Sequence, residues 1–211
     1  MAALDHLILA SPDLQAGVDF IESRTRITPA PGGPHPGIGT HNALASFDDE
    51  TYFEIIGIDP DQPEPERTRP FRLDEDLPLR LAGYAIHPSE GDTIDAVAAM
   101  MAEAGHDPGA VISMSRRRPD GELVEWRLTY GGEPEPPANA CLPFIIDWGT
   151  TETPALSTPR LGELIALEVT HPDDGVRDLA NRLDVGLVVS EGPASLTARI
   201  ATQFGELTLS S

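Results

Sequence analysis

Apolar and polar positions alternate over residues 3–10, ALDHLILA, which predicts a strand with Leu4, His6 and Ile8 on one face and Leu7 and Leu9 on the other. Ser11, Pro12 and Asp13 then read as a helix start with Ser11 as N-cap, and Leu14, Val18 and Ile21 recur at helical spacing through residue 24. Residues 32–39 are so dense in Gly and Pro that they read as a loop whose backbone closely approaches something. Two strands follow, at 41–48 and 51–58, joined as a hairpin by the acidic turn Asp48-Asp49-Glu50. Residues 59–78 hold no sustained period and read as a linker or a loop draped on the surface.

The same order of elements then recurs. A strand at 81–87 precedes a helix at 92–104, with Ile94, Val97 and Met101 on one stripe and Gly105 as its stop. Strands at 111–117 and 122–130 flank the turn Pro119-Asp120-Gly121, and a closing strand at 142–148 follows a Pro-rich insertion at 133–138. A third set runs from a strand at 164–170 through a helix at 172–185, with Val176, Leu179 and Leu183 inward and Gly186 as stop, to three short strands ending at 210. The pattern predicts an α+β fold of three βαβββ units, at residues 1–60, 80–150 and 161–211. One such unit covers only one face of its small sheet. The odd third unit is therefore expected either to dock on the first two or to meet its own copy across a two-fold homodimer.

Length and composition fit this reading and narrow the function. With 211 residues, 40% of them apolar, the chain can bury a sizeable core, and it has no apolar run long enough to span a membrane. The acidic N-terminal stretch lacks the basic region of a signal peptide, so a cytoplasmic protein is expected. Asp and Glu outnumber Lys and Arg by 35 to 14, for a net charge of −21. Such a surface repels phosphate backbones and argues against nucleic acid as a partner. The single cysteine, Cys141, excludes an internal disulfide and a cysteine zinc cluster, and it carries no nucleophile signal.

Candidate chemistry gathers in the first unit. In residues 51–58, Tyr52, Glu54 and Ile56 share one strand face while Phe53 and Ile55 take the other. A carboxylate on so apolar a strand needs a partner, because burying it unpaired costs several kcal/mol, on the order of a large fraction of a domain's net stability. His6, on the neighbouring strand, and His35 and His41, beside the Gly-rich stretch, are candidates. A histidine and carboxylate set suits Zn, Ni, Mn or Fe. Arg116, Arg117, Arg118 and Arg127 form the chief concentration of positive charge, either as a solvated hairpin or with Arg116 or Arg118 gripping a substrate carboxylate. Trp126 and Trp148 read as core or pocket lining, and His171 as the cap of the third helix.

The runs LDHLILASPDLQAGVDFIE, GGPHPGIGTHNALASF, YFEIIGIDPD, RRRPDGELVEWRLTY, LPFIIDWG and LIALEVTHPD resemble the glyoxalase-like branch of the vicinal oxygen chelate superfamily over nearly the whole chain. The resemblance implies paired βαβββ modules curled into a cup around a divalent metal, with a histidine from the first strand and a glutamate from the fourth, positions held by His6 and Glu54. The expected site adds His41 to His6 and Glu54 as metal ligands, makes Glu54 also catalytic, and takes substrate contacts from His35, Asn42, Tyr52, Arg116 and Trp126. In the second module the corresponding strands offer Tyr84 and Asp147, a departure from the family's pattern. Two functions follow. One is an enzyme of isomerase, lyase or dioxygenase type acting on a small vicinal-oxygen substrate; the other is a non-catalytic binding or sequestration protein of the bleomycin-resistance kind.

Overall fold

The structure, a computed structural model, describes residues 2–117, 121, 123–131 and 140–211. The first unit comprises β1 (Ala2–Ala10), α1 (Leu14–Thr25), β2 (Ala30–His35), β3 (Thr40–Ser46) and β4 (Tyr52–Ile58). The second comprises β5 (Arg80–Pro88), α2 (Ile94–Glu103), β6 (Gly109–Arg117), β7 (Leu123–Gly131) and β8 (Phe144–Asp147). Together they form an 8-stranded sheet in the order β2-β3-β4-β1-β5-β8-β7-β6. Each half thus lays out its first, fourth, third and second strand from the centre, and β1 and β5 join the halves antiparallel. The two edge strands, β2 and β6, return into contact, so the sheet bends into a nearly closed cup.

One face of this sheet is dry core. Leu7, Leu9, Phe53, Ile55, Tyr84, Ile86 and Ile145 point away from the cup into a cluster that also takes Val18 and Ile21 of α1 and Ile94, Val97 and Met101 of α2. The third set, β9 (Glu163–Thr170), α3 (Asp174–Leu183), β10 (Leu187–Ser190), β11 (Ser195–Thr202) and β12 (Gly205–Ser210), shares that cluster through Leu167, Val169, Leu179, Leu183, Leu196 and Ile200. It docks on the first two units, with β11 and β12 against β5. Its element order repeats theirs but its strand order does not. Here β10 pairs in parallel with β9, giving β10-β9-β11-β12, whereas in the first unit the last strand takes the place beside the first.

Several local expectations need correction. The N-cap of α1 is Asp13, whose side chain accepts from the backbone N–H groups of Gln15 and Ala16, while Ser11 bonds the Asp13 carbonyl. Residues 30–35 are not loop but the edge strand β2, where Pro31 and Pro34 are tolerated because no further strand needs their missing N–H. In β1 a bulge falls between Leu4 and His6, so strict alternation fails and Leu4 packs against the core cluster instead of sharing the His6 face. Asp173, not His171, caps α3, and the His171 ring accepts the Asp173 N–H. Arg118, Pro119, Asp120 and the insertion at 133–138 lie outside the described residues. Among the described residues, no helix is long and apolar enough to cross a membrane.

Candidate functional site

A cavity of about 1030 Å³ fills the cup and runs on past Tyr84 and Leu142 toward Ala194 and Ser211, which flank strands of the second sheet. Its polar wall comes from the first unit. Because β1 and β4 are parallel neighbours with Ile8 opposite Glu54, the His6 and Glu54 side chains rise from adjacent strands on the same face. They meet there: His6 Nε2 lies 3.3 Å from Glu54 Oε2. The other Glu54 oxygen accepts from Asn42 Nδ2 at 2.6 Å and lies 3.9 Å from His35 Nε2. Asn42 in turn accepts from Arg116 NH1 at 2.8 Å, which ties the first unit to the edge strand of the second.

Behind His6 stands a residue that alternation hid. The β1 bulge turns Asp5 to the His6 side, where its Oδ1 accepts the imidazole Nδ1–H at 2.6 Å and its Oδ2 accepts the Trp148 indole N–H at 3.2 Å. Asp5 is 2% exposed. The signal in the sequence was an acid next to a histidine inside an apolar strand, and a bulge is what gives the pair a common side.

These contacts set the charges. Burial pulls His6 toward the neutral form, but hydrogen bonds and attraction from Asp5 and Glu54 outweigh it and raise its pKa from 6.5 to about 9. Burial alone would raise Glu54; the His6 hydrogen bond and charge, with His35 and Asn42, instead hold it down at about 2. His35, desolvated and with Arg116 nearby, is lowered to about 4 and is neutral, its Nδ1 within 2.9 Å of the Thr40 hydroxyl. Burial, then Asp5 and Glu54, push the Tyr52 phenol well above its ordinary value, and its ring stacks on His6 at 4.4 Å.

The opposite wall, from the second unit, is largely apolar, with Arg116 and Thr129 among its polar side chains. Ala85 faces His6 across β1 and β5, and Val124, Trp126 and Ile146 with Phe144 and Trp148 complete that side. Tyr84 pairs with Leu7 on the core face, where its hydroxyl donates to the Cys141 carbonyl, and Asp147 turns outward to Arg127 at 2.6 Å. Neither Tyr84 nor Asp147 joins His6 and Glu54. Ile145 also faces the core, so Ile146 and Phe144, not Ile145, occupy the cup side of β8. His41 stands on the other face of β3 from Asn42 and does not line the cavity. Of the arginines, Arg116 is buried in the cup, whereas Arg127 and Arg117 lie at the surface, the latter bonded to the Gly121 carbonyl.

Residues 59–79 close the mouth. Arg67, Arg69, Phe71, Arg72 and Leu77 line the cavity, and Leu73 is buried with Ile8 and Ile56. This strap carried no periodicity and so gave no sign in the sequence of belonging to the site. Its hold is Arg69, which forks onto Glu64 and Asp74 and donates Nε to the Gly39 carbonyl.

The profile of the family described as glyoxalase-like domain matches residues 4–185. The chain belongs to this glyoxalase-like family. That membership places it in the vicinal oxygen chelate superfamily, as the sequence motifs implied. Among solved structures, a hypothetical protein from Staphylococcus aureus matches with a TM-score of 0.63 and 17% identity, over 99% of this chain and 85% of that one, a likeness of fold. A methylmalonyl-CoA epimerase variant from Streptomyces coelicolor in complex with 2-nitronate-propionyl-CoA is similar at a TM-score of 0.44 and 18% identity, over 72% of this chain and 98% of that one. Methylmalonyl-CoA epimerase from Mycobacterium tuberculosis is similar at 0.38 and 16%, over 68% and 85%. No curated protein matches the chain.

The superfamily implies a divalent metal, and the donor set can be tested against one. His6 and Glu54 are close enough to share an ion, and Asp5 supplies the carboxylate that commonly orients a ligating imidazole. A third donor is wanting: among the described residues, no group of three or more His, Cys, Asp or Glu side chains is placed to hold a metal. Both Glu54 oxygens are already engaged, one with His6 and the other with Asn42. As arranged, these residues do not fit a metal centre.

Proposed function

We propose that this protein binds a small oxygen-bearing molecule in its cup, and that recognition rests on the Asp5–His6–Glu54–Asn42–Arg116 chain rather than on a preassembled metal. The observation that carries this reading is the contact of His6 with Glu54 at 3.3 Å on the floor of a large cavity whose other wall is largely apolar. A ligand with an oxygen-rich head and an apolar body matches both walls. The second Asn42 amide hydrogen offers a donor to the head and the remaining Glu54 lone pairs an acceptor, and a head group that displaces Glu54 from His6 gains the Nε2–H. Both Glu54 oxygens are held, one by His6 and one by Asn42, which favours binding over catalysis while those contacts stand.

One observation favours a second, enzymatic reading. A cationic His6 beside a carboxylate in a closed cup is the pairing that isomerase-type chemistry needs: the imidazolium stabilises charge developing on a substrate oxygen while Glu54, once a ligand displaces its partners, takes the adjacent proton. A thermal-shift screen of small hydroxy and keto acids, followed by calorimetry of hits on wild type, His6→Gln and Glu54→Gln, tests binding in the cup. Hits lost in both variants support it, and hits indifferent to both overturn it. Exchange of a bound ligand's C–H with deuterium from solvent marks the enzyme, and its absence marks the binder. Stoichiometric Zn, Ni, Mn or Fe in the purified protein, lost in His6→Gln, would overturn the metal-independent reading.

A further inference from the structure

The ligand class is written in the aromatic lining, and this inference rests on the cup being the ligand site. Aromatic residues make up only 5% of the chain, yet both tryptophans line the cavity. Their rings belong to an unbroken series around the wall. Phe71 of the strap lies 6.1 Å from Phe144, Phe144 meets His6 edge-on at 5.6 Å, and His6 stacks on Tyr52. Tyr52 lies 6.4 Å from Trp148, and Trp148 5.6 Å from Trp126. The series ends in a cation: the Arg116 guanidinium stands over the Trp126 ring at 5.9 Å. Four strands, the strap and the residue after β8 all contribute rings. Phe71, Phe144 and Trp148 are only partly buried, and the cavity is what they line.

Aliphatic side chains would fill a core of this size with less conformational constraint, and the dry face of the same sheet is in fact built mainly of Leu and Ile. A wall of rings favours a flat π-system, which gains from offset and edge-on packing beyond its buried area. Arg116 fixes one end. In a chain of charge −21 it is a buried cation whose NH1 donates to Asn42 at 2.8 Å, and a guanidinium suits a carboxylate fork. We infer that the cup takes a planar aromatic carboxylate, with its ring against Trp126, Trp148 and Phe144 and its acid group toward Arg116.

The test uses three probes of one shape: 2-naphthoate, its saturated decahydro analogue and the neutral naphthalene-2-carboxamide, each titrated calorimetrically into wild type, Arg116→Gln and Trp148→Leu. Naphthoate is expected to bind wild type roughly five-fold tighter than the saturated acid and roughly ten-fold tighter than the amide. Arg116→Gln should erase the preference for acid over amide, and Trp148→Leu the preference for planar over saturated. Because the wild-type ranking stands by itself, a variant that fails to fold does not spare the inference. Equal affinities in wild type, or no binding of naphthoate, overturn it. The cup reading falls separately, only if hits of every class also ignore His6→Gln and Glu54→Gln.

Discussion

Asp5 and His6 are consecutive residues of one strand, yet their side chains stand on the same side and bond at 2.6 Å, because a bulge interrupts the pairing of β1 with β5 between Leu4 and His6. An unbulged strand would send them to opposite faces and leave Asp5 in the dry core. Asp5→Asn keeps the shape and removes the charge. The His6 pKa should then fall from about 9 toward its ordinary 6.5, followed by NMR of the ring protons. Stability at neutral pH should drop by about 1–3 kcal/mol, the cost of weakening a buried charged hydrogen bond. An unmoved titration would show that Glu54 alone sustains the imidazolium.

The buried titrating groups of the cup predict where stability peaks. His6 is raised from 6.5 to about 9, so its contribution is complete below pH 6.5 and is lost as pH rises toward 9. His35 is lowered from 6.5 to about 4, so the unfolded chain takes up a proton that the folded one refuses, and stability falls as pH drops from 6.5 to 4. Glu54, depressed from 4.5 to about 2, adds a further loss as pH falls through that range. Urea unfolding across pH should therefore show a maximum near 6.5 from these groups. His6→Gln should flatten the alkaline limb and His35→Gln the limb just below the maximum; limbs unchanged in both variants would place the linkage elsewhere.

At the seam where β2 meets β6, the Gly-rich stretch shows what its backbone approaches. A Cβ on Gly32 would lie 2.0 Å from Asn42 Oδ1 and 3.0 Å from Arg116 NH1. Gly32→Ala must push that bond apart, at a cost of about 1–3 kcal/mol for overpacking. Ligand affinity should fall with it, since Asn42 would lose its hold on both Arg116 and Glu54. A variant with unchanged melting temperature and affinity would show that the seam opens freely.

That seam also marks what could be read from the sequence. The glycines predicted a close approach, but the partner, Arg116, lies 74 residues from Asn42, and no local pattern announces such a pairing. The βαβββ order and the His6 and Glu54 positions were legible because period-two alternation fixes which side chains share a face, and β1 and β4 then lie side by side. Alternation failed where it was interrupted. The bulge hid Asp5, and the second half does not bring Tyr84 or Asp147 to the cup, where Ala85 and Ile146 stand instead. His41 was chosen for its place beside the glycines, and its neighbours Thr40 and Asn42, not His41 itself, line the cavity. The strap could not be read at all, because its place depends on ion pairs within a Pro-rich run.

The strap makes the last prediction. Arg69 is 7% exposed and ties two points of the strap to a third outside it: Glu64 through two nitrogens at 2.9 Å each, Asp74 at 2.5 Å, and the Gly39 carbonyl at 3.0 Å, at the end of the turn that follows His35. Next to it Phe71 and Arg72 both hold left-handed backbone, with φ of 58° and 53°, a conformation costing non-glycine residues roughly 1–2 kcal/mol each. Arg80 also holds the Phe71 carbonyl and Leu73 is buried beside it, but Arg69 is the strap's charged tie to Gly39, and without it Phe71 should loosen at the mouth. In Arg69→Met, amide exchange should accelerate across residues 60–77 while β1 and β4 keep their protection, and ligand dissociation should quicken. Global stability should fall by only about 1–2 kcal/mol, because Asp74 and Glu64 can rehydrate once released. Arg69→Lys should fail to restore the wild-type pattern, since one ammonium cannot serve a two-nitrogen fork and a carbonyl together. Full rescue by lysine, or loss of protection spreading into β1, would show that the strap is held by its apolar contacts and that Arg69 is incidental to it.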